Sequence, residues 1–160
     1  MPYLIDGHNL IPKIPGLSLE AVDDEIRLIE LLQDFCRVQR KQVEVYFDNA
    51  PAGQSGKRRY GQVTAFFVRQ GNTADAAIRQ RLARLGKNAK NWVLVSSDGQ
   101  VQADGRSAHA RVVGSEQFRD ELRASLERSS QKANLRTEGL SADEVDEWLI
   151  LFKQKRNPPG

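Results

Sequence analysis

Cysteine is almost missing from this chain: Cys36 is the only one among 160 residues. An intramolecular disulfide and a thiolate metal cluster are thereby excluded, and any metal must be held by oxygen or histidine. Histidine is nearly as scarce, with His8 and His109 alone. Neither belongs to a GxSxG elbow, so a serine-hydrolase triad has no support. Long apolar runs are absent too. No stretch approaches the about 20 residues of a membrane span, and Met1 to Pro15 lacks the basic start and small-residue cleavage site of a signal peptide. The expectation is a cytoplasmic protein with no membrane partner. The chain is 39% hydrophobic and 28% charged, enough apolar side chain for one compact core and too much for a disordered segment. Its length falls within the about 100 to 200 residues usual for one domain.

Acids are thin in one region. Between Lys57 and Lys90 nine basic residues stand against one acid, Asp75, although the net charge of the whole chain is only +3. Such a block suits a polyanion, and a solvated lysine and arginine face accounts for it as well. The block by itself decides nothing.

Apolar patterning orders the chain. Tyr3 to Ile5 reads as a buried strand entering a loop at Asp6-Gly7. Val22, Ile26, Ile29, Leu32 and Cys36 recur at three and four, which predicts a helix from Ala21 to Arg40. Val43 to Phe47 and Val63 to Val68 are strands by their β-branched and aromatic content, separated by a polar, glycine-rich loop from Gly53 to Gly61. Thr73 caps a helix striped by Ala74, Ala77, Ile78, Leu82 and Leu85 and stopped by Gly86. Trp92 to Val95 is a further strand, a short helical stretch runs to Ala108, and Arg111 to Val113 is the last strand. Ser115 then caps a helix to about Arg128.

Residues 129–140 lack periodicity and read as a linker. Residues 141–156 open with a capping box, Ser141-Ala142-Asp143-Glu144, and predict a C-terminal helix bearing Val145, Trp148, Leu149 and Phe152 on one face. Near-continuously apolar strands alternating with helices define an α/β domain over residues 1–128, three layers deep around a mostly parallel sheet.

In such a sheet ligands bind beyond the carboxyl ends of the strands. Asp6, Asp48 and Asp98 each follow a predicted strand, and Asp75 sits in the first turn of the helix after another. Each has an ordinary reading as a loop or first-turn residue. Together they would gather at one edge, where two carboxylates about 4 Å apart repel by about 4 kcal/mol at an effective dielectric of about 20. Such a cluster protonates or binds cations, and oxygen donors without thiolate select Mg²⁺ or Mn²⁺. These ions generate hydroxide from water and stabilise phosphoryl displacement, so acids beside a basic block suit a phosphodiester.

Leu4-Ile5-Asp6-Gly7-His8-Asn9-Leu10-Ile11, Val45-Tyr46-Phe47-Asp48, Asn72-Thr73-Ala74-Asp75-Ala76-Ala77-Ile78 and Val95-Ser96-Ser97-Asp98 resemble, in that order, the YacP-like branch of the NYN domains. These are relatives of the PIN-domain ribonucleases. The resemblance covers roughly Met1 to Arg128 and implies a PIN-like fold and metal-dependent cleavage of RNA, most simply as an endonuclease. It implies Asp6, Asp75 and Asp98 as metal-binding acids, Asp48 as an accessory catalytic acid, and Asn9 as the residue holding the first loop or a substrate oxygen. His8 stands where tyrosine is frequent in that family, and Asn49 where glycine usually follows the second aspartate. Both departures bear on substrate contacts more than on metal.

Lys57, Arg58 and Arg59 suit an RNA backbone, with Tyr60 beside them to stack on a base; a solvated loop explains them nearly as well. Arg79, one turn beyond Asp75, is placed either to pair with that acid or to meet a phosphate. Arg81 falls inside the apolar arc and is expected to snorkel. Cys36, Trp92 and Trp148 read as core or interface residues. Gly53-Gln54-Ser55-Gly56-Lys57 lacks both the spacing and the hydroxyl of a phosphate loop, which excludes a nucleoside triphosphatase. A haloacid-type phosphatase wants a second aspartate where His8 stands. Three readings remain: a ribonuclease acting on RNA, free or within the ribosome or another RNA-containing assembly; a catalytically silent RNA-binding module; and, third, the phosphatase.

Overall fold

The computed structural model describes residues 1–19, 23–51 and 53–136. Its centre is a six-stranded sheet in the order β3-β4-β2-β1-β5-β6, built from β1 (Tyr3–Asp6), β2 (Val43–Ala50), β3 (Gly56–Tyr60), β4 (Val63–Arg69), β5 (Val93–Val95) and β6 (Arg111–Val113). All neighbours are parallel except β3, which runs antiparallel to β4 at one edge. The helices are α1 (Gly7–Leu10), α2 (Asp23–Gln39), α3 (Ala74–Leu85), α4 (Gly99–Ser107) and α5 (Ser115–Arg136).

Because strand side chains alternate between faces, each strand feeds two cores. Ile5, Val45 and Val95 meet Leu32 and Phe35 of α2 and Phe118 and Leu122 of α5. Leu4, Tyr46 and Leu94 meet Ile78 and Leu82 of α3 and Val101 of α4 on the other side. The three-layer α/β domain expected from the apolar strands is the observed one. Among the described residues no helix is long and apolar enough to cross a membrane.

The structure departs from the sequence pattern in four places. Gly53 to Gly61 is not all loop: Gly56–Tyr60 pairs with β4 as an edge strand. Four of its five residues are exposed, so no apolar alternation announced it. The expected loop after β1 is instead a single helical turn, α1, running into a 3-10 turn at Ile11–Lys13. The face of α2 that is buried carries Leu28, Leu31, Leu32 and Phe35, which leaves Ile26, expected inside, 42% exposed. Finally, α5 continues to Arg136 rather than stopping near Arg128, so the first part of the expected linker is helical. Gln131, Lys132, Ala133, Leu135 and Arg136 are good helix formers and extend the helix without an apolar stripe. The remaining linker residues and the expected helix at 141–156 lie outside the described residues.

Gly7 makes the turn from β1 into α1 possible. A Cβ there would stand 2.5 Å from Cε1 of Phe47 and 2.8 Å from the Tyr46 carbonyl oxygen. Gly7→Ala is therefore expected to destabilise the protein by about 1–3 kcal/mol through overpacking. Gly99→Ala, where no atom lies within 4 Å of the added methyl, should be neutral or slightly stabilising. Urea denaturation midpoints of the two variants check the contrast.

Candidate active site

The four aspartates are brought to one edge by strand register and by one helix. Alternation along β1 puts Asp6 on the same face as Leu4, and along β2 puts Asp48 on the same face as Tyr46, both toward α3. Thr73 starts α3 by accepting the Ala76 N–H at 3.1 Å, and the Asp48 carboxylate accepts the neighbouring Ala74 N–H. That bond ties the end of β2 to the positive end of the helix dipole. Asp75 follows in the first turn. Asp98 caps α4, its Oδ1 accepting from the N–H groups of Gln100 at 2.9 Å and Val101 at 3.1 Å.

Ser96 connects two of these acids. Its fully buried hydroxyl donates to Oδ2 of Asp6 at 3.3 Å and accepts the Asp98 N–H at 3.1 Å. Asn9 braces the same loop: its Oδ1 accepts from the Ser97 N–H at 2.7 Å and from the Ser115 hydroxyl at 2.6 Å. The amide thus holds the loop after β5, not its own. Ser96 lies inside the Val95-Ser96-Ser97-Asp98 motif, but nothing in the sequence assigned it a role at the site.

His8 completes the inner wall. Its Nδ1 accepts the Asp48 N–H at 3.2 Å, so in the neutral ring the hydrogen sits on Nε2, 2.8 Å from Glu25. The ring lies against Phe47 at 5.5 Å between centroids. Burial opposes protonation of His8, but Glu25, with Asp48 and Asp6, outweighs it and raises the pKa. Asn49 takes a left-handed φ of 59°, a conformation that asparagine tolerates better than most side chains. A residue other than glycine is therefore accommodated there.

The acids influence one another. Asp6, 6% exposed, has its pKa pushed up to about 6, first by burial and then by Asp75 and Asp48, while Ser96 and the Asn9 N–H offset part of the rise. Asp75 is raised as well, by burial and then by Asp98 and Asp48, with Arg79 opposing. Among the described residues, no three His, Cys, Asp or Glu side chains are drawn together closely enough to hold an ion as they stand. Asp48 and Asp98 each accept hydrogen bonds from backbone N–H groups. The donor set is nevertheless all oxygen and mutually repelling, which fits a hard divalent cation in chemistry and charge.

The basic residues divide into engaged and available. Arg79 pairs with Asp104 at 3.2 Å, not with Asp75. Arg81 does not snorkel freely; it grips both oxygens of Glu44 at 2.8 and 2.9 Å, and its guanidinium lies over the Trp92 ring at 5.2 Å. Tyr60 is partly buried against the core. Lys57, Arg58 and Arg59 are exposed on β3. Arg58 lies over Phe67 at 5.1 Å, and Arg59 donates to the Gly61 carbonyl at 3.2 Å.

Fold and site together define a doubly wound α/β domain with an acidic crevice at the carboxyl edge of its sheet. The YacP-like NYN domain model matches residues 3–150, and the chain belongs to that family. No curated protein matches it in sequence. Among solved structures, the fold is similar to that of Rae1 (YacP) from Bacillus subtilis, with 22% identity and a TM-score of 0.72 over 99% of this chain and 95% of that one. A tryptophan-to-leucine mutant of the same Bacillus subtilis protein also matches, with 22% identity and a TM-score of 0.69 over 92% of both chains.

Asp6 yields a pH signature. With its pKa raised from 3.8 to about 6, the folded state binds the proton more tightly than the unfolded chain, so stability falls as pH rises between those values. Above that window the ionised carboxylate costs on the order of 3 kcal/mol. In chelator, Asp6→Asn is expected to be more stable than the native protein at pH 7.5, with the gap closing toward pH 4. Urea titrations at both pH values measure the difference.

Proposed function

We propose that this protein is a divalent-metal-dependent ribonuclease that cuts RNA internally. The observation that carries the reading is the gathering of Asp6, Asp48, Asp75 and Asp98 from four distant segments at one sheet edge, where burial first and neighbouring acids second raise the pKa of Asp6 and Asp75. Asp6, Asp75 and Asp98 would hold Mg²⁺ or Mn²⁺. Such an ion, when bound, supplies a water of lowered pKa and neutralises charge on the phosphate.

The chain's own residues prepare the site. Ser96 fixes one oxygen of Asp6 and the backbone of Asp98, so the two acids keep a constant relation. Asp48 anchors the start of α3 and with it Asp75. Asn9 holds the loop that carries Asp98. Arg79, held by Asp104 beside the acids, is placed to meet a substrate phosphate. The substrate is RNA, free or within the ribosome or a comparable assembly. A second reading, a silent RNA-binding module of the same fold, has one observation in its favour, the absence of a tightly drawn ligand triad among the described residues.

Two measurements separate these readings. Mn²⁺ at about 100 times its Kd should stabilise the protein by about 2.7 kcal/mol, visible as a rise of several degrees in melting temperature. Asp98→Asn should lose most of that rise while keeping α4 capped, because asparagine caps as well as aspartate. Labelled RNA should be cleaved with Mn²⁺ or Mg²⁺ and spared in chelator, with Asp6→Asn, Asp75→Asn and Asp98→Asn each inactive. Equal RNA decay with native protein and Asp98→Asn, on naked RNA and on translating ribosomes, would favour the silent module.

A further inference from the structure

The hairpin of β3 and β4 separates residues that are adjacent in sequence. Lys57 stands opposite Phe66 and Arg59 opposite Thr64, while Arg58 stands opposite Ala65 and Tyr60 opposite Val63. Cross-strand partners share a face of the sheet. Phe66 packs with the α3-side core and Val63 and Ala65 with the α2-side core. Lys57 and Arg59 therefore stand on the α3 face. Arg58 and Tyr60 stand on the other, where Arg58 lies over Phe67.

On the α3 face a single row crosses four strands: Asp6 beside Tyr46, Tyr46 beside Phe66, Phe66 beside Lys57. At about 4.8 Å per strand, the acid and the lysine are three steps apart. Phe66 is half-buried and stacks on Tyr46 with centroids 4.6 Å apart and planes 7° from parallel. Helix α3 packs over β1 and β2, and Lys57 at the outer end of the row is exposed. Exposed Arg84 of α3 is close enough to act on the Tyr46 hydroxyl. No acid occurs between Asp48 and Asp75.

Glu44 shares this face and accepts from the Tyr46 hydroxyl at 3.0 Å, but both of its oxygens are held by Arg81, so its charge is matched within the protein. An aromatic ring bordered by exposed cations is the chemistry that holds a single-stranded nucleic acid. We propose that the α3 face of the β3–β4 edge is the track by which single-stranded RNA reaches the aspartates, a base stacking on Phe66 and phosphates meeting Lys57 and Arg59. This rests on the ribonuclease reading and assigns its substrate a path and a strandedness. Arg58, despite its position between the two contact residues, has no part in the track.

The test uses a labelled single-stranded RNA oligonucleotide in chelator, so that no cleavage occurs, with affinity read by fluorescence anisotropy over a salt series. The double variant Lys57→Gln/Arg59→Gln should bind roughly tenfold more weakly at about 0.1 M salt and flatten the salt dependence by about 0.7 per lost contact. Phe66→Leu should weaken binding roughly tenfold through lost stacking. Arg58→Gln should stay within about twofold of the native protein. The charged positions are exposed, so those variants test the track even if Phe66→Leu disturbs packing. Native affinity in the double variant, or an equal loss in Arg58→Gln, overturns the track and leaves the ribonuclease reading intact. No RNA binding by the native protein at low salt overturns the track, and the cleavage assays on naked RNA and on translating ribosomes decide the ribonuclease reading separately.

Discussion

Carboxylates crowded at one sheet edge repel, and much of the surrounding structure serves to hold them there. A parallel sheet sends the ends of β1, β2 and β5 to the same side, so Asp6, Asp48 and Asp98 cannot avoid one another once the strands pair. Each is restrained differently. Asp48 is tied to the start of α3, Asp98 caps α4, and Asp6 has the Ser96 hydroxyl and remains the least comfortable of the three. Its burial opposes stability at neutral pH, the kind of local conflict that persists where function requires it. Asn9 and Ser115 act at one remove, bracing the loop on which Asp98 depends.

The two departures from the commoner family pattern fall into place through local contacts. His8 uses both ring nitrogens, one toward Glu25 and one toward the backbone of Asp48, while its ring covers Phe47. It is a strut between α2 and the end of β2. Asn49 adopts the left-handed backbone that a glycine would take, and the register of β2 against β4 shifts across this stretch. The chain bends there, which brings the Asp48 carboxylate to the Ala74 N–H.

The sequence made the layers and the acids legible because both leave strong local marks. Val43 to Phe47 could scarcely be anything but a strand, and Thr73 with its apolar stripe announced α3. Aspartates that close such strands are visible one by one. Relations across the sheet were not legible. Nothing local says that Tyr46 lies between Asp6 and Phe66, or that Lys57 and Arg59 share a face that Arg58 does not, since strand register is a long-range property. Strand β3 was hidden for a related reason: exposed residues need no alternation to be part of a sheet. Arg79 and Arg81 could be placed on a helix, but their partners, Asp104 and Glu44, come from distant segments.

Among the described residues the sheet ends at one side in β3, which carries a lysine and two arginines, and at the other in β6, only three residues long. Both are recognised ways of keeping a sheet from adding a strand of a second molecule. The cations of β3 thus have a role independent of the proposed RNA track: they discourage edge-to-edge association of the chain with its own copies. Without those charges the edge would lose the proposed RNA contacts and its protection from aggregation together, so both rest on Lys57 and Arg59.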